Sequence, residues 1–264
     1  MKRLLIRPGA IGDFLVSLPA VNHLKTHDTE LWVREAVLPL AKMIAPARSI
    51  AATGLDLLGL HGVEPPAELI RRLAQFDEIH SWYGSNRAEF RDAVRHLPFQ
   101  FYPALPPEDG PLHAVDFYAE QVGLPHSLIP RLPIESSTRQ GALVHPFASG
   151  PRKEWPLADF RAVAQELQAE WCAGPEPGAL LHANLDDLAR RIARASVYIG
   201  NDSGIAHLAA AVGTTVVVLF GPTNPAVWAP RGPAVTVLSP MANIAPEDVI
   251  RAVRRYAAST TIES

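Results

Sequence analysis

The feature that most constrains the fold is a regular alternation of short apolar runs with segments of helical periodicity. Residues 2–7 form a compact apolar run, a glycine-containing loop follows at 8–13, and apolar side chains near helical spacing occupy 14–25. Further strands are expected at residues 30–33, 49–53, 78–82, 142–145, 171–173, 196–199, 215–220 and 235–238, and helices at 38–45, 65–75, 86–96, 157–170, 185–195, 204–212 and 246–257. Such alternation predicts an α/β fold in which helices cover parallel sheets.

The alternation stops once, between residues 124 and 140. Three Leu-Pro and Ile-Pro steps and the polar residues 135–138 predict an extended connector in this stretch. A length of 264 residues is long for one domain and comfortable for two. We therefore expect two α/β domains, residues 1–132 and 133–264, with the last helix able to pack back on the first domain.

Charge and cysteine content argue against several classes of protein. The formal net charge is −3 and both signs are spread along the chain, which gives no footprint for nucleic acid. A single cysteine, Cys172, excludes an internal disulfide framework and fits a reducing compartment. Residues 203–230 lack Asp, Glu, Lys and Arg, but Gly213 and the Gly221-Pro222 pair divide them into helix, strand and turn. This favours a buried α/β unit over a membrane span, and we expect a cytoplasmic protein.

Three loops that follow predicted strands are rich in glycine and polar residues, and such loops bind ligands in open parallel sheets. In the first loop, Gly9 and Gly12 let the backbone turn tightly and approach a ligand. Asp13 stands just before the first apolar residue of the helix, so it can cap that helix or act as a general base. On the loop alone the cap is the simpler interpretation. The loop lacks the Gly-x-Gly-x-x-Gly pattern and gives no support for a dinucleotide.

The second loop, residues 149–156, places Ser149, Gly150 and Lys153 ahead of a helix. A hydroxyl, a positive charge and the amides of a helix start suit a diphosphate. An ordinary surface loop, with Trp155 packed at the helix start, explains the same residues equally well.

In the third loop, residues 200–207, Asp202 and Ser203 can cap the following helix and Gly204 opens its backbone. Ser203 and the neighbouring amides would then face a bound anion. His207 follows one turn later, although a helical histidine is more commonly a packed residue. A Ser-His-Asp hydrolase triad is rejected, because the Gly-x-Ser-x-Gly spacing is absent.

A metal site is not expected. His23 and His27 are four residues apart, but no Glu follows His23 and the chain has no cysteine pair.

Taken together, the three loops resemble the lipopolysaccharide heptosyltransferases, glycosyltransferase family 9. The opening Arg-Pro-Gly-Ala-Ile-Gly-Asp-Phe-Leu at 7–15 is similar to the N-terminal signature of that family. Gly-Asn-Asp-Ser-Gly at 200–204, His-Leu-Ala-Ala at 207–210, Leu-Phe-Gly-Pro-Thr at 219–223 and Trp228 match its C-terminal signature. Between residues 30 and 132 the likeness is confined to the α/β rhythm.

The resemblance implies a GT-B fold, with two Rossmann-like domains whose parallel sheets face a central cleft. It implies a nucleotide-sugar donor on the C-terminal domain and the acceptor on the N-terminal one. Asp13 takes the position of the catalytic base, and Ser149 and Lys153 take positions that hold the donor phosphates. The remaining donor-binding positions fall on Asp202, Ser203, Gly204 and His207, and on Glu176, which matches a residue that holds the ribose.

The resemblance further implies a metal-independent inverting transferase that needs no cofactor. The donor is expected to be ADP-heptose and the acceptor a lipopolysaccharide-type or other glycoconjugate, with peripheral contact at the inner membrane and no nucleic acid partner. Two alternatives stay open. One is a GT-B-like nucleotide-sugar-binding scaffold without turnover, suggested by the compressed stretch at 176–184. The other is a sugar-nucleotide epimerase, against which the loop containing Asp13 argues.

Overall fold

Buried aliphatic strands organise the chain into two units. The computed structural model describes residues 1–107, 110–135, 138–173 and 184–260, with only the backbone described after Tyr256. The units are Met1–Ser127 and Leu128–Ser264, and the division between them lies within the proline-rich connector.

The first unit is a five-stranded parallel sheet with strand order β3-β2-β1-β4-β5. Its strands are β1 (Arg3–Arg7), β2 (Thr29–Val33), β3 (Ala47–Ser49), β4 (Glu78–Ser81) and β5 (Phe99–Phe101). Its helices are α1 (Ile11–Val16), α2 (Leu18–Leu24), α3 (Leu38–Ala41), α4 (Ala67–Leu73), α5 (Ala88–Ala93) and α6 (Ala114–Glu120). Leu4, Leu5 and Ile6 are each 0% exposed. Because successive side chains of a strand point to opposite faces, both faces of central β1 are covered.

The second unit is another five-stranded parallel sheet, with order β10-β9-β8-β6-β7. Its strands are β6 (Ala142–His145), β7 (Glu170–Trp171), β8 (Val197–Asn201), β9 (Thr215–Leu219) and β10 (Val235–Leu238). Its helices are α7 (Leu157–Leu167), α8 (Leu185–Ala193), α9 (Gly204–Ala211), α10 (Pro225–Trp228) and α11 (Pro246–Thr260). The closing helix α11 packs on α7 and β9 of its own unit, and Arg254 pairs with Glu166 of α7 at 2.5 Å.

Each sheet has one topological switch point, where chain order reverses between two neighbouring strands. In the first unit it lies between β1 and β4, and in the second between β6 and β8. Ligands of open α/β sheets bind in the crevice at the carboxyl ends of the strands at such a point. All three loops singled out from the sequence follow strands that flank a switch point: β1, β6 and β8.

The charge-free stretch at 203–230 is a buried α/β unit, as expected. Helix α9 is buried from Ile205 onward and β9 from Val216 onward. Within the part of the chain that the structure describes, no helix is long and apolar enough to cross a membrane.

Several expected elements differ from those observed. The helix predicted at 14–25 is two helices, because the Ser17 hydroxyl donates to Phe14 O at 2.8 Å and Pro19 has no N–H to continue the first helix. The strand predicted at 49–53 is wrong, since β3 ends at Ser49 and Ile50–Ala52 is a 3₁₀ turn.

Strand β5 and helix α6 were not expected from the sequence. With only three residues, β5 is too short to show an alternating pattern. Helix α6 is capped by an unusual residue, His113, whose Nδ1 accepts from Val115 N at 3.1 Å.

Candidate functional site

In the first unit, Asp13 lies half-buried in the first turn of α1, at the carboxyl end of β1. The helix begins at Ile11, so Asp13 is its third residue and not the N-cap; its Oδ2 nevertheless accepts from Ala10 N at 2.8 Å. Gly12 is the second residue of the helix. Gly9 has φ +110, and a Cβ there would lie 2.7 Å from Asp13 Cβ, so only glycine fits. The loop is therefore shaped around this carboxylate.

Arg7 fixes both ends of that loop, a role that sequence reasoning missed. Its guanidinium, 1% exposed, donates to Pro8 O at 2.6 Å and to Asp13 O at 2.7 Å. It also donates to the Ser17 hydroxyl at 2.9 Å. It lies 4.6 Å from the ring centre of Tyr118 and 5.9 Å from that of Trp82, within reach of cation–π attraction. The sequence signal that could have identified Arg7 is a charged residue at the end of a predicted central strand.

In the second unit, buried Asn201 joins the loops that follow β6 and β8. It is 0% exposed, its Nδ2 donates to Pro146 O at 2.6 Å, and its Oδ1 accepts from Trp155 N at 3.1 Å. The loop after β6 is further stabilised by Glu154, whose Oε1 accepts from Ala148 N at 3.0 Å. Asn201 was not singled out from the sequence, although it lies inside the 200–204 motif. It holds the loop after β6 in register with the loop after β8.

Lys153 and Asp202, both expected in donor binding, are brought together in an ion pair. Lys153 Nζ lies 2.7 Å from Asp202 Oδ2, with the lysine side chain 30% and the aspartate 7% exposed. The position of Asp202 is fixed in turn by its backbone N–H, which donates to Leu219 O at 2.9 Å. A lysine ammonium has three donors, and this bond uses one of them. The buried Asp202 carboxylate thus orients the Lys153 ammonium, and part of the ammonium stays accessible to a ligand.

Ser203 occupies the N-cap position of α9 without capping it, contrary to the expectation from the sequence. Its backbone is extended and its hydroxyl makes no capping hydrogen bond, lying beside the Tyr198 hydroxyl instead. Asp202, also expected to cap the helix, points its carboxylate at Lys153. Gly204 opens the helix, so its first amides keep the positive end of the helix dipole open to an anion.

The other expected donor residues are placed less tightly. Ser149 is exposed in the loop after β6, just ahead of the 3₁₀ turn Pro151–Lys153. His207 lies one turn into α9 and is buried, with its backbone N–H directed at Ser203 O. Glu176 lies outside the described residues.

A neutral polar floor lies beneath these loops. His145 and Tyr198 stack with ring centres 6.4 Å apart. Burial lowers the pKa of His145 to about 4, so this histidine is uncharged at neutral pH. A Cβ on Gly200 would lie 2.5 Å from the Tyr198 hydroxyl oxygen, so a larger residue cannot stand there without a shift of its neighbours. The Tyr198 ring therefore packs directly beneath the backbone of Gly200, at the start of the loop after β8.

In the part of the chain that the structure describes, no group of three or more His, Cys, Asp or Glu side chains could hold a metal ion. The single cysteine, Cys172, is buried, and burial raises the pKa of its thiol to about 12.

Residues 180–253 match the model of glycosyltransferase family 9 (heptosyltransferase). This segment of the second unit is similar to glycosyltransferase family 9. This segment contains Asp202, Ser203, Gly204 and His207, and the resemblance and the enzyme class expected from the sequence are both confirmed by the match. A comparison with curated proteins gives no match.

Solved structures share the fold of the whole chain. ADP-heptose lipopolysaccharide heptosyltransferase II of E. coli has a TM-score of 0.75 at 17% identity, over 99% of this chain and 100% of that one. A family 9 glycosyltransferase of Veillonella parvula has a TM-score of 0.75 at 17% identity, over 98% and 97%. The E. coli heptosyltransferase WaaC with ADP has a TM-score of 0.69 at 15% identity, over 97% and 100%. The expected GT-B class of two Rossmann-like units is confirmed.

Proposed function

We propose that this family 9 protein transfers a heptose-like sugar from ADP-heptose to a lipopolysaccharide-type or other glycoconjugate acceptor, with inversion and without a metal. The observation that carries the proposal is the Lys153–Asp202 ion pair beside the uncapped start of α9, at the switch point of the second unit. The similar E. coli WaaC has been solved with ADP, which is the donor part proposed here.

The donor diphosphate would be held by groups that the fold of the second unit already orients. The Lys153 ammonium supplies the positive charge, the first amides of α9 supply donors, and the exposed Ser149 hydroxyl supplies one more. As the bond to the sugar breaks, negative charge grows on the leaving diphosphate. Fixed donors of this kind stabilise that charge without reorganising.

Asp13 would be the general base of the reaction. An acceptor hydroxyl oxygen attacks the anomeric carbon, its proton passes to the Asp13 carboxylate, and the carbon–oxygen bond to the diphosphate breaks to release ADP. Attack on the face opposite the leaving group inverts the anomeric centre. Arg7 and Ala10 N hold the backbone and carboxylate of Asp13 in place for this step. A positioned base contributes about 10²–10⁴-fold.

Asp13→Asn separates the proposed base from the structural cap. The amide oxygen of asparagine can still accept from Ala10 N, so the helix start is kept while the base is lost. We expect transfer to fall by about 10²-fold or more, with ADP binding unchanged by calorimetry. Asp56→Asn, at an exposed aspartate of the same unit, is the control and should retain full activity.

Other outcomes of the same assay would point elsewhere. Full transfer by Asp13→Asn would contradict the assignment of the base. Binding of ADP and ADP-sugars by the wild-type protein without turnover on any acceptor would favour the scaffold, and isomerised donor in the absence of acceptor would favour an epimerase. Activity unchanged by a chelator is expected, because Lys153 and α9 take the place of a metal. The proposal also places the protein in the cytoplasm, with peripheral contact at the inner membrane for a glycolipid acceptor.

A further inference from the structure

The first unit contains a second feature at the carboxyl edge of its sheet: an open cavity of about 520 Å³. It is formed by the segments that follow β4 and β5, and its lining includes Ser85, Asn86, Arg91, Phe101, Tyr102 and Leu105. None of these residues was assigned a role from the sequence.

A series of contacts connects the cavity wall to the loop that carries Asp13. Strand β4 is the neighbour of β1 across the switch point, and Trp82 N donates to Ile6 O at 3.0 Å. The Trp82 ring lies 5.9 Å from the Arg7 guanidinium carbon on one side and 5.2 Å from the centre of the Tyr102 ring on the other. One aromatic ring therefore spans from the cavity wall to the arginine that fixes Asp13.

The lining has the chemistry that recognises a sugar ring. Phe101 and Tyr102 are half-buried, each stacked on a neighbouring ring, and Leu105 at the rim is 58% exposed, so part of the apolar surface is open to a ligand. Sugars offer apolar C–H faces to such surfaces and hydroxyls to polar groups placed around them. Asn86 and Arg91 are exposed and supply those polar groups.

The wall of the cavity is held in place from behind. The Tyr102 hydroxyl lies 2.9 Å from His80 Nδ1, and the Arg91 guanidinium lies 5.5 Å from the centre of the Phe101 ring. Burial lowers the pKa of His80, which keeps this contact neutral at neutral pH. Sugar hydroxyls can pair with the exposed Asn86 amide and Arg91 guanidinium, whereas an acyl chain would gain nothing from either group.

We propose that this cavity is the acceptor subsite and binds one sugar ring of the acceptor glycan against Phe101 and Tyr102, with Asn86 and Arg91 on its hydroxyls. The inference rests on the proposed transfer, since it takes Asp13 as the base that the acceptor must reach.

The kinetic test uses ADP-heptose as donor and deacylated lipopolysaccharide core oligosaccharide as acceptor. Asn86→Ala and Arg91→Gln should raise the acceptor KM about tenfold or more, with the donor KM and kcat at saturating acceptor unchanged. Arg95→Gln, at an exposed arginine four residues further along the chain and paired with Asp92, is the matched control and should behave as wild type. Equal acceptor KM in all variants, or loss confined to kcat, would overturn the subsite.

A binding test without donor separates this inference from the proposed function. Saturation-transfer NMR with the same oligosaccharide should give a signal with the wild-type protein and Arg95→Gln, and lose it with Arg91→Gln. That result supports the subsite even if no transfer is found, in which case the proposed function alone fails. No signal with the wild-type protein, or the same signal with Arg91→Gln, would overturn the subsite.

Discussion

At the scale of single residues, the site depends on a few buried polar side chains that hold backbone atoms. Arg7 binds Pro8 O and Asp13 O, and Asn201 binds Pro146 O and Trp155 N. Neither residue has to touch a ligand to matter. Each makes direct hydrogen bonds to the backbone of the loop that it positions.

Replacing Asn201 by alanine should loosen the second unit measurably. Two buried backbone groups, Pro146 O and Trp155 N, lose their partner, and each such loss costs about 1–3 kcal/mol. We expect urea denaturation to show a loss in the free energy of unfolding of that order, together with weaker ADP binding. Asn243→Ala, at an exposed asparagine of the same unit, should change the free energy of unfolding by less than about 0.5 kcal/mol. Equal stability of the two variants would contradict the role given to Asn201.

His145 makes the stability of the second unit depend on pH. Its pKa falls to about 4 in the folded state because of burial, against an ordinary value of 6.5. Between these values the unfolded chain binds more protons, so stability is complete above about pH 6.5 and is lost as the pH falls toward 4. The loss attributable to this group is about 3 kcal/mol. His145→Phe should flatten the pH dependence of urea midpoints over that range; an unchanged profile would show that His145 is not its source.

At the scale of elements, the strand-to-helix junction of β8 and α9 is defined by close packing beneath it. Gly200 leaves room for the Tyr198 hydroxyl, and Ser203 gives up its capping role beside the same hydroxyl. The junction therefore leaves the first amides of α9 without a side-chain cap. An ordinary Ser cap, as expected from the sequence, would have covered one of them.

A pair of glycine substitutions tests this packing. In Gly200→Ala the added methyl lies 2.5 Å from the Tyr198 hydroxyl oxygen, and overpacking of this kind costs about 1–3 kcal/mol. In Gly150→Ala the added methyl meets nothing within 4 Å, and φ there is 178, which any residue adopts. Thermal denaturation should show a clear loss for the first variant and little change for the second. The reverse order would contradict the packing.

At the scale of the whole molecule, the strand-and-helix rhythm was enough to predict two parallel α/β units. Long or strongly apolar strands such as β1, β8 and β9 were found from sequence, because burial on both faces leaves a continuous apolar run. Strand β5 and helix α6 were missed because their signals are a three-residue strand and a histidine cap.

The candidate site was predicted unevenly for a similar reason. Residues inside glycine-rich loops, such as Asp13, Lys153 and Asp202, stand out from sequence. Arg7 and Asn201 do not, because their importance comes from backbone atoms that approach them only after folding. The lining of the cavity beside β5 was missed because its strand was missed.

The central claim is that the second unit holds the donor diphosphate through Lys153 and the start of α9. Calorimetric titration of ADP tests it most directly, using Lys153→Met/Asp202→Asn so that no buried carboxylate is left unpaired, and Lys42→Met at an exposed lysine of the first unit as control. We expect ADP binding to weaken about tenfold or more in the double variant and to match wild type in the control. Equal ADP affinity in all three proteins would contradict the claim.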